Sequence, residues 1–319
     1  DAGCAGGLMF AWMDEWFERT WIVLYLEAYG IESGSETIPT RQLWHNETSP
    51  EQCFGLLAFE QKERDPLVAY SLDATSGPVS SVRATHDEGY FYLEINTSSA
   101  LSEEDKLMIA FDTYLGGTGE SQLPDGAVIA NRAEFLLTLD LSEDSAMHHV
   151  TAAYDMNGLT VRFNLTDPTV QKYKSTVSDG APWNLMKWIN DGFELTEDEL
   201  GRVPLEHATG FSAGNRAAVA WEGNNIKIRL PWTMLYFNDP TQMRVNDGAD
   251  TYDGGYNFEI LTSVSDGIAV SVSHEGVVTN STNRYRWPAW LIVPPTSERE
   301  KGSLSVIKEG LNVIPDYYK

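Results

Sequence analysis

From about Leu67 onward the chain is a succession of short apolar-rich runs separated by Gly, Asn and Asp turn signals, and this rhythm limits its fold more than any other feature. Gly89-Tyr90-Phe91-Tyr92-Leu93-Glu94-Ile95 is the clearest run, with β-forming aromatics following a glycine. Others extend from Val79 to Thr85, Leu107 to Tyr114, Arg132 to Leu139, His149 to Tyr154 and Leu159 to Leu165, the last after an Asn157-Gly158 turn. Two further pairs of runs flank hairpin-type turns. Arg216 to Trp221 and Ile226 to Pro231 flank Gly223-Asn224-Asn225, and Tyr256 to Ser265 and Ile268 to Ser273 flank Asp266-Gly267. Helical periodicity is scarce here. The pattern predicts a mostly β chain, an antiparallel β-sandwich over residues 61–319. Ala181 to Leu205 breaks the rhythm and reads as an insertion carrying Trp183 and Trp188, with Thr196-Glu197-Asp198-Glu199 resembling a helix start.

The first sixty residues follow a different grammar. Leu8 to Trp12 is a continuous apolar run, which fits a strand buried on both faces as in a parallel sheet. Trp16, Phe17, Trp21, Leu24 and Tyr25 then recur at helical spacing, predicting a helix from about Asp14 to Tyr29. Phe54 to Phe59 is a second short apolar strand. A parallel strand needs neighbours for its backbone groups. The chain therefore reads as beginning at the last strand of something larger, with residues 1–60 a strand–helix remnant of a β/α barrel plus linker.

Charge narrows the partners. With 22 Lys and Arg against 47 Asp and Glu, the formal net charge is −25. That disfavours nucleic acid and anionic membrane surfaces, both of which want basic patches. No apolar run of about 18 residues is present, so no helical membrane span is expected. An extracellular or cell-surface location fits the acidity, and four Asn-x-Ser/Thr sequons (Asn46, Asn96, Asn164, Asn280) add a weak hint of export. Cys4 and Cys53 flank the strand–helix unit; they read either as a bridge or as two buried thiols.

Gly6-Gly7, the apolar run, Trp12 and Asp14 resemble the eighth strand of glycoside hydrolase barrels of the family-two type. The string Trp12-Met13-Asp14-Glu15-Trp16-Phe17-Glu18-Arg19-Thr20-Trp21 looks like a barrel end of large glycosidase-like proteins, in which a β-sandwich follows the barrel. Phe54-Gly55-Leu56-Leu57-Ala58-Phe59 looks like the hinge between the two parts. Later segments resemble carbohydrate-binding modules of the family-nine type and the related DOMON sandwiches. They are Tyr90 to Ile95, Met108 to Thr113, Ala133 to Leu137, and Ile226-Lys227-Ile228-Arg229-Leu230-Pro231-Trp232. Tyr285-Arg286-Trp287-Pro288-Ala289-Trp290 resembles the segment that closes the same glycosidase-like proteins. The resemblance implies an exported glycan-processing parent. It also places the acid and nucleophile of that barrel on strands that this chain lacks.

The candidate chemistry follows. Asp14 and Glu15 are adjacent carboxylates at a strand's carboxyl end. A glycosidase needs two carboxylates across the scissile bond, from different strands, so this pair is not expected to be that dyad and no catalytic residue is assigned. In a barrel, Trp12 would stack on sugar and Asp14 and Glu15 would bind hydroxyls; otherwise the two acids simply favour a helix N-terminus. Trp183 and Trp188, five apart, would not share a helix face but could form a sugar platform in a loop. Trp232 reads as core, Trp221 as core or rim, and Trp287 and Trp290 as sealing the sandwich or packing on the barrel remnant. Asn246 to Gly255, with Asp247, Asp250 and Asp253, is either a calcium loop or a solvated Asp/Gly turn. His148 and His149, adjacent in a strand, would point to opposite faces and could not chelate together.

Three functions remain in play. The first is an accessory carbohydrate-binding or scaffold module of an extracellular glycoside hydrolase, binding polysaccharide or oligosaccharide. The second is an assembly protein whose N-terminal apolar segment docks on a neighbouring subunit or a second copy. The third is a hydrolase subunit completed by a missing barrel domain or partner chain.

Overall fold

The runs Leu107 to Phe111 and Phe135 to Leu137 are apolar at every position, and their environment explains why. In the computed structural model of the chain, residues 11–13, 55–58, 67–73, 77–87, 90–155, 177–178, 180, 182–186, 188–191, 195–198, 201–211, 218–252, 257–288 and 306–307 are described. Twelve strands form one large sheet: β1 (Val68–Ala69), β2 (Val79–His86), β3 (Tyr90–Thr97), β4 (Lys106–Asp112), β5 (Phe135–Asp140), β6 (Ser145–Thr151), β7 (Trp183–Leu185), β8 (Arg202–His207), β9 (Ala218–Glu222), β10 (Asn225–Pro231), β11 (Ala269–His274) and β12 (Val277–Asn280). Its order is β12-β11-β4-β5-β6-β8-β9-β10-β3-β2-β1, with β7 also pairing β6. The protein is mostly β, and no α-helix occurs among the described residues.

The path curls until its ends meet. Beyond β1, Tyr70 N–H donates to the Val82 carbonyl (2.9 Å), Asp73 N–H to that of Asn280 (2.9 Å), and Thr282 N–H to that of Ser71 (2.7 Å). Leu72 and Ser281 form an antiparallel bridge. Residues 71–73 thus stitch one edge of the sheet to the other, beside β12.

Period-two alternation sends Phe91, Leu93 and Ile95 of β3, Leu107, Ile109 and Phe111 of β4, Ile226, Ile228 and Leu230 of β10, and Val270 and Val272 of β11 into one core. On the opposite face of β4 and β5, Ala110 and Leu136 pack with Leu123, Ile129 and Ala133 in a second cluster. Strands Gly119–Gln122 and Val128–Ala133 supply part of that cover. Burial on both faces is why Leu107–Phe111 and Phe135–Leu137 are apolar at consecutive positions.

Several expectations are corrected. The large sheet is not wholly antiparallel: β8 and β9 run parallel, Leu205 opposite Val219. The segment read as an insertion contributes β7 and the start of β8 to that sheet. The helix start read at Thr196 is instead part of strand Leu195–Asp198, paired antiparallel with Trp188–Asp191. A capping signal is a local preference, and cross-strand pairing overrides it here. Asp266-Gly267 does not close a hairpin. It carries the chain from strand Asn257–Val264, which pairs Arg244–Tyr252, to β11, which pairs β4. Gly267 has φ +97°, and a Cβ there would lie 2.3 Å from the Tyr285 carbonyl oxygen, so glycine is required by close approach as much as by turning. Gly223-Asn224 does close the β9–β10 hairpin.

At the N-terminal end, strand Ala11–Met13 runs parallel to Gly55–Ala58, as its apolar character suggested. Val306–Ile307 adds an antiparallel third strand on the far side of Gly55–Ala58, so Ala11–Met13 pairs with Gly55–Ala58 alone among the described residues. The helix read from Asp14 to Tyr29, the strand read from Leu159 to Leu165, and both cysteines lie outside the described residues. No helix among the described residues is long and apolar enough to cross a membrane.

Candidate functional site

The β11–β12 hairpin turns on Glu275-Gly276, with φ of +51° and +73°, the doubly positive geometry of a two-residue turn. His274, the last residue of β11, pairs with Leu107 of β4, and Asp105 immediately precedes β4. Sheet pairing therefore delivers Asp105 to His274. The His274 Nε2 lies 2.9 Å from the Asp105 Oδ1. Oδ2 of the same carboxylate accepts from the Ser102 backbone N–H (2.7 Å) and Oγ (3.0 Å). Burial alone would push the Asp105 carboxyl up; His274 and Ser102 outweigh it and hold the group below the usual carboxylate range. A carboxylate can only accept, so Nε2 carries the ring proton. Nδ1 is buried and has no hydrogen-bond partner.

These groups border an open cavity of about 850 Å³ between the starts of β4 and the ends of β5 and β11. Its wall includes Ser99, Ser102, Asp125, Thr138, Asp140 and Ser273. Lys106 also lines it, bound to Asp140 at 2.5 Å. Hydrogen bonds from Lys106 and then Ser142 draw the Asp140 carboxyl down to about 2. Asp105, His274 and Glu275 each place one ligand atom within 4.8 Å of the others, a spacing that can hold a cation. The site is thus a groove lined by hydroxyls, carboxylates and the apolar Leu107, Met108 and Leu139, with an imidazole in its floor.

A second polar cluster is internal. Arg284 donates to Asp112 Oδ2 (2.5 Å) and Oδ1 (2.8 Å), and to the carbonyls of Tyr114 (2.7 Å) and Gly267 (2.7 Å). Glu134, fully buried, accepts from Thr113 N–H (2.9 Å) and Thr118 Oγ (3.2 Å). Burial, then the nearby Asp112, pushes the Glu134 carboxyl well above its usual range. This cluster ties the end of β4 to the segment after β12 and has little open surface for a ligand. It reads as structure.

The residues singled out from the sequence are dispersed. Trp183 lies on β7, half-buried against the second cluster, with its indole N–H donated to the Gln122 carbonyl (2.9 Å). Trp188 lies on strand Trp188–Asp191, in a separate two-stranded sheet, so the pair does not sit on one loop. Trp12 is on strand Ala11–Met13. Asp247 and Asp250 are on strand Arg244–Tyr252, where a loop was expected. Asp14, Glu15 and Asp253 lie outside the described residues. Trp221, Trp232 and Trp287 are core, each at most 4% exposed. His148 and His149 do lie side by side on β6, with only His148 fully buried. The sequon residue Asn280 is 8% exposed, and its amide donates to Asp73 (2.7 Å) and accepts from Ser271 (2.8 Å).

Sequence reasoning missed Asp105, His274 and Glu275. The only local signal was the Glu275-Gly276 turn; their meeting depends on the β4–β11 pairing, across 169 positions of chain. Compared with protein-family models, curated proteins and solved structures, the chain matches none.

Proposed function

We propose that the chain is a carbohydrate-binding accessory module of an extracellular glycan-processing protein, and that its ligand surface is the groove bordered by Asp105, Thr138 and Glu275. The observation that carries this is the groove itself: about 850 Å³, lined by hydroxyl and carboxylate side chains beside Leu107, Met108 and Leu139. Small-ligand sites typically span roughly 300–1,000 Å³. Sugar hydroxyls are recognised by such donors and acceptors, whereas an acidic ligand would be repelled by a wall this rich in carboxylates. No Phe, Tyr or Trp is among the lining residues, so binding rests on hydrogen bonds and is weaker than stacking would make it. On this reading the curled sheet is a sandwich in which β8 is shared by two halves, β12 to β8 and β8 to β1, that face each other across one core.

The test is a glycan array followed by calorimetry on the whole chain, with and without calcium. Thr138→Ala and Asp125→Ala are run beside Trp183→Ala and Trp188→Ala. Binding lost in the first pair and kept in the second supports the groove. Loss confined to the tryptophan variants moves the site to them, and no glycan bound under either condition overturns the binding-module reading.

A further inference from the structure

We propose that Asp105, His274 and Glu275 form a divalent transition-metal site in the floor of this groove, with zinc the preferred ion. Three observations carry it. First, the three ligand atoms lie within 4.8 Å of one another on segments fixed by sheet pairing and a two-residue turn. Second, His274 Nε2 and Asp105 Oδ1 are 2.9 Å apart. Two ligands at about 2.1 Å from a tetrahedral ion are separated by about 3.4 Å, so an ion can replace the proton between them once the two part by about 0.5 Å. Glu275 is exposed on its turn and can close the remaining gap by changing rotamer. Third, the His274 side chain is only 2% exposed, so its burial fixes the direction in which Nε2 faces Asp105.

The ligand set selects the ion class. Calcium takes six to eight oxygens, and magnesium demands a near-octahedral oxygen shell. An imidazole with two carboxylates suits zinc and its first-row neighbours, the remaining positions going to water from the groove. The Ser102 bonds to the second Asp105 oxygen supply the outer contacts that aim a ligating carboxylate. The metal would occupy the same groove as the proposed glycan, but none of these three observations depends on glycan binding.

The experiment is a titration of the whole chelator-treated chain with zinc, and in parallel with calcium, in the absence of any glycan. Heat and the zinc-induced rise in Tm are recorded. We expect zinc to bind more tightly than calcium, and Glu275→Gln and Asp105→Asn each to weaken zinc by at least about tenfold. The exposed Glu103→Gln serves as the control for diffuse attraction to an acidic surface and should bind as the native chain does. Glu275→Gln lies on an exposed turn, so its fold is retained and its result stands even if Asp105→Asn is destabilised. No zinc binding, equal zinc and calcium affinity, or unchanged zinc binding in Glu275→Gln overturns the proposal. Because no sugar is present, this outcome is separate from that of the glycan experiment.

Discussion

The imidazole of His148 lies flat on the ring of Phe135, with centroids 5.8 Å apart and planes inclined by 6°, while its Nε2 sits 2.8 Å from the Met234 carbonyl oxygen. Its own backbone marks the point where β6 changes partners. The His148 N–H donates to Gly201 beside β8 (2.7 Å), and its carbonyl accepts from Met186 beside β7 (3.0 Å). A neutral imidazole fits there and a charged one does not. Burial lowers the His148 pKa from 6.5 to about 4.

That shift has a sign. Between pH 6.5 and about 4 the unfolded chain binds a proton at this position and the folded one does not, so stability falls as pH falls through that window. The contribution is complete above pH 6.5 and exhausted below about 4. Its size is on the order of 3 kcal/mol. Urea unfolding curves at several pH values should show the native protein losing this amount relative to His148→Gln, which lacks the titration. Parallel pH profiles for the two proteins would contradict the prediction.

Removing Arg284 strands Asp112, whose side chain is 3% exposed. Arg284→Met should cost about 3–5 kcal/mol, the usual effect of leaving one buried charge behind. Arg284→Lys should recover little, because an ammonium cannot bridge both Asp112 oxygens and two carbonyls in one plane. Denaturant midpoints of the three proteins decide this, and a lysine variant as stable as the native chain would contradict it.

Glu134 titrates in the opposite sense to His148. Its folded pKa is raised, so the folded state holds a proton that the unfolded state releases above its own lower pKa. Stability from this group is therefore lost as pH rises from the ordinary glutamate range through the folded value. Glu134→Gln mimics the protonated form, keeps an acceptor for Thr113 N–H, and should gain on the native protein as pH increases. Thermal melts at pH 5 and pH 8 would show the gap widen, whereas a constant gap would mean that the group is ionised in the fold.

Gly201 sits where three strands converge, and a Cβ there would lie 2.2 Å from the His148 carbonyl oxygen and 2.8 Å from Leu185 Cδ1. The obstacle is mainly backbone and cannot swing away. Gly201→Ala should cost about 1–3 kcal/mol or more. Gly210→Ala, which meets nothing within 4 Å, should stay within about 0.5 kcal/mol of the native chain. Equal midpoints for both variants would show that the β6–β8 junction relaxes freely.

What the sequence determined by itself is the β character of the chain and much of its inside. Alternation in Tyr90–Thr97 put Phe91, Leu93 and Ile95 on one face, and the position of Trp232 already marked it as core. These are local properties: a side chain's hydrophobicity and its neighbours two residues away settle which way it points. Pairing was decided elsewhere. Asp266-Gly267 has the same turn chemistry as Gly223-Asn224, yet only the latter joins strands that hydrogen-bond to each other. Thr196 to Glu199 looked like a helix start until a partner strand claimed Leu195–Asp198. Asp112 met Arg284 across 172 positions and Asp105 met His274 across 169, both through the sheet order. Strand partners are chosen by the apolar area and backbone hydrogen bonds of the whole sheet summed together, a quantity that no local window of residues contains.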